Sequence, residues 1–195
     1  MNCRRRFVSS QGQTLVEFAM VLPFLLIVML GVIEFGYLLL DEHVVTKLSR
    51  EGSNLISRNT SLVDAVTAMK GMSTRPVNFD SNKSRLIFSV VKNVATTAAS
   101  NYSKEVLYQR YEYGGLSAQS TMRTLGTPSF GAAPEYIAPN SDNDTNLQIT
   151  NLPPGLTVTG DMLYVTEIFT LHPLITPLDR FGITIPQTLY SIAYF

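Results

Sequence analysis

The sequence predicts an α+β protein, in which a long N-terminal helix is followed by a small antiparallel β-sheet domain that packs on the helix. Two observations carry this prediction. An apolar stretch near the N-terminus has the length of a membrane span, and several later stretches alternate or are rich in β-branched and aromatic residues. An antiparallel sheet with one face covered by the helix buries both apolar surfaces with the fewest elements.

The apolar stretch covers residues 18–40. Residues 18–33 carry no charge, and Glu34 is the one charged residue in the rest of the run. At ~1.5 Å rise per residue, a helix of this length spans about 30 Å or slightly more, the thickness of a bilayer core. Three arginines at 4–6 precede the run and two acids at 41–42 follow it. Basic residues that flank a membrane span stay in the cytoplasm. We therefore expect the N-terminus in the cytoplasm and the chain beyond the span on the other side of the membrane.

The remaining elements follow from local patterns. Helical periodicity with a polar face continues to about Arg58. Ser61 followed by Asp64 predicts the start of a short helix that Gly71 closes. Strands are predicted at residues 85–92, 105–113, 162–172 and 188–195. Residues 127–154, rich in Pro, Ala, Asn, Asp and Ser, are predicted to form a long surface loop.

Charge and composition argue against several function classes. The first 12 residues hold three of the 15 basic side chains and none of the 15 acidic ones, so the rest carries a net charge of −3. This disfavours nucleic acid as a partner, since phosphate binding needs a cationic face. With one cysteine, Cys3, and the two separated histidines His43 and His172, we predict no metal site. We also predict no cofactor and no catalytic site, and interpret Asp161 and Glu167 as a solvated sheet edge.

Glu17 is hard to explain in a simple anchor. A charge at the centre of a membrane span costs about 2.5–3.5 kcal/mol, and less near its edge. Glu17 and Glu34 are 17 residues apart, roughly 26 Å along a helix, so one helix can place each near an opposite interface. For Glu34 two interpretations stay open, a residue at the outer interface and a polar contact to another helix. Placement of Glu17 near the inner interface lowers the cost of its charge but gives no reason for an acid at position 17.

The N-terminal residues resemble a known family. The stretch QGQTLVEFAMVLPFLLIVMLGVIEFGYLLL is similar to the start of TadE-like proteins, the minor pilins (pseudopilins) of Flp/Tad-type type IV pili. Such chains have a short basic leader that ends in Gly, an acid at the fifth mature position and commonly Phe at the sixth. Gly12 matches the last leader residue and Gln13 the first mature one, which makes Glu17 fifth and Phe18 sixth. Pro23 within the leucine-rich run and LSREGSN soon after it add to the resemblance.

The resemblance implies a division of the chain and a role for each part. Residues 1–12 would be a leader, 13–58 the N-terminal helix and 59–195 an extracytoplasmic domain. A prepilin peptidase would cleave between Gly12 and Gln13, and Glu17 would pair with the new ammonium of a neighbouring subunit and so set the register of assembly.

The implied function is pilus assembly and surface adherence, without catalysis. The implied partners are the prepilin peptidase, the major Flp pilin and other minor pilins, the inner-membrane assembly platform and membrane lipid. The implied location is the bacterial inner membrane, with the N-terminus cytoplasmic and the domain periplasmic or extracellular. Incorporation of the chain into the pilus stays open. It is long for a major Flp pilin, which is little more than the helix, and this favours the minor role.

A second function stays open. The chain would then be an uncleaved, signal-anchored membrane protein whose extracytoplasmic domain binds a ligand or a surface. An anchored periplasmic enzyme is a third possibility, supported only by the existence of a domain. The N-terminus of the mature chain separates the first function from the second.

Overall fold

The computed structural model describes residues 10–195 and gives only the backbone at residues 10, 11 and 13. The elements of the described chain are two α-helices, α1 (Ser10–Ile56) and α2 (Leu62–Met72), and four strands, β1 (Ser84–Asn93), β2 (Glu105–Tyr113), β3 (Met162–Leu171) and β4 (Thr188–Tyr194). Two short 3-10 helices lie at Thr145–Leu147 and Pro177–Phe181. The predicted α+β class is confirmed, with a long apolar helix followed by an antiparallel sheet that packs against it.

The chain forms two compact units. One, here called the helix unit, groups the part of α1 up to Leu39 with the segment Leu174–Ile185. The other, the sheet domain, consists of Leu40–Pro173 and Pro186–Phe195. The sequence-based division placed residues 174–185 in the domain, whereas their contacts group them with the first part of α1.

Helix α1 is 47 residues long and contains Pro23. A proline removes one backbone donor, a loss that helices in a membrane tolerate. The helix begins at Ser10, three residues before the predicted start, and ends at Ile56, two before the predicted end. Arg4–Arg6 and Cys3 lie outside the described residues.

The sheet has the order β2-β1-β3-β4, and every pair is antiparallel. In the inner strand β1, Leu86 lies opposite Tyr113 of β2 and Ile168 of β3. The predicted strands match the observed ones within one residue at each end. Local alternation and β-branched content were therefore sufficient to find them.

One face of the sheet packs on the second part of α1. Val45 and Leu48 of α1 join Phe88 and Ile168 of the sheet in the main hydrophobic core. Helix and sheet approach each other closely at Gly52, because a Cβ atom placed there would lie 2.7 Å from Cγ2 of Thr166. A larger residue at this position would therefore meet the sheet.

Helix α2 begins as predicted. The Ser61 hydroxyl accepts a hydrogen bond from the Asp64 amide at 3.2 Å and donates one to the Asp64 carboxylate at 2.7 Å. These bonds satisfy one of the free amides of the first turn. The helix ends at Met72, so that Gly71 lies in its last turn rather than beyond it.

The long loop of residues 127–154 is fixed by local contacts. Asp144 caps the 3-10 helix Thr145–Leu147, and Leu147 is fully buried in a small core with strand residues. The Asn101 side-chain amide donates to the carbonyls of Ser141 and Asp144, both at 2.8 Å. The loop is thus an ordered part of the sheet domain.

Candidate assembly surface

The first part of α1 exposes many of its apolar side chains. Phe24 is 72% exposed and Val32 is 68% exposed, whereas Ile27, Leu30 and Leu38 are partly buried. By length and composition this helix can cross a membrane. A contiguous apolar surface of this size needs a bilayer or other apolar helices around it. It is the candidate assembly surface.

Glu17 and Phe18 lie on this surface, and both side chains are exposed. They sit in the second turn of α1 as it is described, about 7 Å along the axis from Gly12. Gly12 itself is in the first turn and helical, with open space where a side chain would be. The side chain of Gln13 is outside the described residues. The structure therefore brings the predicted cleavage position and the predicted register acid within two turns of each other on one helix.

Glu34 is fully buried, although it belongs to the apolar run. Its carboxylate accepts hydrogen bonds from the Thr176 amide at 2.7 Å, the Thr176 hydroxyl at 2.6 Å and the Ile175 amide at 3.2 Å. Several donors around one carboxylate offset the cost of removing it from water. The sequence offered the outer interface or another helix as its surroundings; the structure gives a segment of the same chain, Leu174–Ile185.

A second buried polar contact involves His172, which the sequence treated as isolated. Its Nδ1 lies 2.6 Å from a carboxylate oxygen of Asp41, and both residues are buried. The His172 amide donates to the Gln187 carbonyl. The contact joins the second part of α1 to the end of β3 within the sheet domain. Among the described residues there is no group of three or more potential metal ligands.

Glu167 is the third buried acid, and the interpretation of it as part of a solvated edge is wrong. It accepts from the Thr121 amide at 2.8 Å, the Thr121 hydroxyl at 2.6 Å and the Tyr190 hydroxyl at 3.1 Å, and also from the Ser120 hydroxyl. The network fastens the loop after β2 onto the sheet. Its donors come from positions 23 to 47 residues away, so no local pattern reveals it.

Burial governs the ionisation of the groups around Glu167. Burial lowers the pKa of Arg110, and the negative charges of Glu167 and Glu112 oppose that shift. Burial raises the pKa of Tyr190 well above its ordinary value, and the charge of Glu167 adds to the rise. At neutral pH Tyr190 is thus neutral, and its hydroxyl acts as a donor to Glu167.

A polar cavity of about 1170 Å³ in the sheet domain lies next to this network. Arg85 and Arg110 line it. Arg85 is paired with Glu112 at 2.5 Å, and Arg110 donates to the hydroxyls of Ser89 and Ser120. These arginines are engaged in holding the sheet and the loop together.

Comparison with protein families identifies the N-terminal part of the chain. Residues 12–54 match the family model of the TadE-like proteins. Neither a comparison with curated proteins nor one with solved structures found a significant match. The family match confirms the resemblance drawn from the N-terminal residues. The match covers 43 of the 195 residues, all of them within α1.

Proposed function

We propose that this chain, whose N-terminal helix is TadE-like, is a minor pilin of the Tad (Flp) pilus that acts in pilus assembly and surface adherence. A prepilin peptidase removes residues 1–12, and the mature chain begins at Gln13. The N-terminus lies on the cytoplasmic side of the inner membrane and the sheet domain on the other side. Its partners are the peptidase, the assembly platform, the major pilin and other minor pilins.

One observation carries the proposal. A largely exposed apolar helix surface bears an exposed acid, Glu17, five residues after a glycine, inside the family match. A plain membrane anchor has no need of that acid, which raises the cost of insertion. In an assembly of such helices, the same acid supplies a polar contact at one defined position along the helix axis.

Cleavage requires the first turn of α1 to open. Gly12 is helical in the intact chain, and helix ends fray because their amides lack intrahelical partners. Glycine favours the extended backbone that a peptidase cleft accepts, since it lacks a side chain and gains little from the helix. Cleavage produces an ammonium group at Gln13 in place of the basic leader.

Glu17 then sets the register. Unpaired in a bundle of apolar helices its carboxylate is costly, whereas paired with the ammonium of a neighbouring subunit it is compensated at only one axial offset. A single polar position in a coiled-coil core fixes alignment by the same logic. Phe18 lies beside it and supplies apolar contact at the same level.

The test compares two acids of the same helix. Replacement of Glu17 by Gln should leave membrane insertion, cleavage and the sheet domain intact and should abolish or strongly reduce piliation. Replacement of the exposed Glu42 by Gln is the matched control and should leave piliation normal. Piliation is counted by electron microscopy, and cleavage is followed by intact mass. Normal pili in cells that carry only the Glu17→Gln chain would refute the register role.

A further inference from the structure

The segment Leu174–Ile185 returns to the apolar part of α1. It is attached there through Glu34, which receives the amides of Ile175 and Thr176. Beyond this attachment, Phe181 lines an apolar groove of about 410 Å³ together with helix residues from Pro23 to Ile33. From position 34 the segment therefore runs beside α1 toward the N-terminus of the helix, as far as this groove.

The segment carries its own apolar surface. Phe181 is 56% exposed, and Ile175 and Ile183 are also exposed. These side chains lie in the same compact unit as the exposed apolar helix. Whatever surrounds residues 23–33 of α1 therefore also surrounds Phe181 and the groove beside it.

The backbone of the segment is compatible with a non-aqueous environment. Irregular backbone near hydrocarbon is tolerated only where its amides have partners. The Gly182 amide donates to the Asp179 carbonyl at 3.0 Å and the Ile183 amide to the Leu178 carbonyl at 3.2 Å. The amides at 175 and 176 are taken by Glu34, and Pro177 has none.

Two charged residues fix how deep the segment can lie. Asp179 and Arg180 are exposed and adjacent to Phe181. Charges at the bilayer centre are expensive, but a long arginine side chain reaches the headgroups from the outer part of a leaflet. The groove residues from Leu26 to Ile33 lie in the C-terminal half of the charge-free run of residues 18–33, the half expected on the outer side of the membrane.

We propose that Leu174–Ile185 is a second membrane-contacting element, which lies in the outer leaflet against α1. Phe181 and Ile183 contact acyl chains, one of which fills the groove, while Asp179 and Arg180 lie at headgroup level. Glu34 positions the segment. The inference rests on the proposed membrane anchoring of α1 and goes beyond it.

Tryptophan fluorescence tests the depth directly, because the chain has no Trp. The full chain carrying Phe181→Trp is placed in phosphatidylcholine vesicles with bromine near the carbonyl end or near the methyl end of the acyl chains. The probe should lose most of its emission to the carbonyl-end bromines, lose less to the methyl-end bromines and resist iodide. Phe24→Trp is the control within the span, and Tyr102→Trp is the water-exposed control in the sheet domain.

Glu34 is tested in the same background. Glu34→Ala should release the segment, so that bromine quenching of the Trp at 181 falls and iodide quenching rises. Glu42→Ala, a matched change at an exposed acid, should alter neither.

The control variants distinguish a failure of this inference from a failure of the proposed membrane anchoring. If Phe24→Trp is quenched by bromine and Phe181→Trp is quenched only by iodide, the segment lies in water and this inference is wrong, while anchoring stands. If neither is quenched by bromine, the anchoring is wrong as well. If Phe181→Trp is shielded from iodide without bromine quenching, and more so at higher protein density, a second copy covers the segment and the lipid contact is refuted.

Discussion

The two parts of α1 show what one helix does in two environments. Up to Leu39 most apolar side chains are exposed, as at Phe24, whereas Val45, Leu48 and Ile56 of the second part are buried in the sheet domain, with Val45 only 1% exposed. The backbone is helical throughout. The two parts therefore do not differ in helix formation. They differ in what their apolar side chains pack against: the second part packs against the sheet of the same chain, whereas the first part needs apolar groups from outside the chain.

The polar residues follow the same division. In the second part, Ser53 donates to the Ala193 carbonyl at 2.9 Å and Asp41 contacts His172, both within the sheet domain. In the first part, Glu34 is engaged by Leu174–Ile185, while Glu17 lies exposed on the apolar surface. In the proposed assembly, Glu17 is the acid of α1 that is assigned to a neighbouring subunit.

The largest expected effect comes from putting a charge into each part of the helix. Val45→Asp should unfold the sheet domain, because a buried unpaired carboxylate costs several kcal/mol, a large share of the ~5–15 kcal/mol that stabilises a typical domain. Val28→Asp should leave the melting temperature of the domain unchanged and lower the membrane-bound fraction, at a cost of about 2.5–3.5 kcal/mol. Thermal unfolding in detergent and membrane flotation measure the two effects. If both variants lose the same amount of domain stability, the two parts of α1 do not differ in their packing against the sheet domain, and this account of the helix is wrong.

A smaller effect is expected at the contact between Asp41 and His172. Asp41→Ala removes the carboxylate that contacts the buried imidazole of His172 and should lower the free energy of unfolding by about 1–3 kcal/mol. Glu42→Ala changes the neighbouring exposed acid and should stay within about 0.5 kcal/mol of the unmodified chain. Denaturant unfolding measures both. Matching midpoints for the two variants would mean that the buried contact adds nothing to stability.

The smallest effect comes from two glycines of the same helix. Glycine to alanine in a helix interior gains roughly 1 kcal/mol from propensity alone. Gly31→Ala should keep that gain in the helix, since a Cβ there meets no atom within 4 Å. Gly52→Ala should instead lose about 1 kcal/mol net, because overpacking against Thr166 costs about 1–3 kcal/mol. A higher melting temperature for Gly52→Ala would show that the helix and sheet adjust freely at this point.

The features that could be predicted from the sequence are those that depend on residues close together in the chain. Strand bounds followed from alternation, and the start of α2 followed from Ser61 and Asp64, whose roles depend on neighbours three residues apart. The register of the sheet and its order were not predictable in this way, because they depend on packing between distant strands.

The partners of the buried acids were missed for the same reason. Asp41 and His172 are separated by 131 residues, and Glu34 and Thr176 by 142. Nothing near Glu34 indicates that amides from the C-terminal region will reach it. Glu17 and Gly12 are different, because their significance came from a family pattern of fixed spacing, and one chain by itself contains no neighbouring subunit.

The most direct test of the account is the mass and first residue of the chain purified from its native membrane. With an active prepilin peptidase the chain should begin at Gln13, and without the peptidase, or with a bulky residue in place of Gly12, it should keep its leader. A native chain that still begins at Met1, arginines included, would contradict the account.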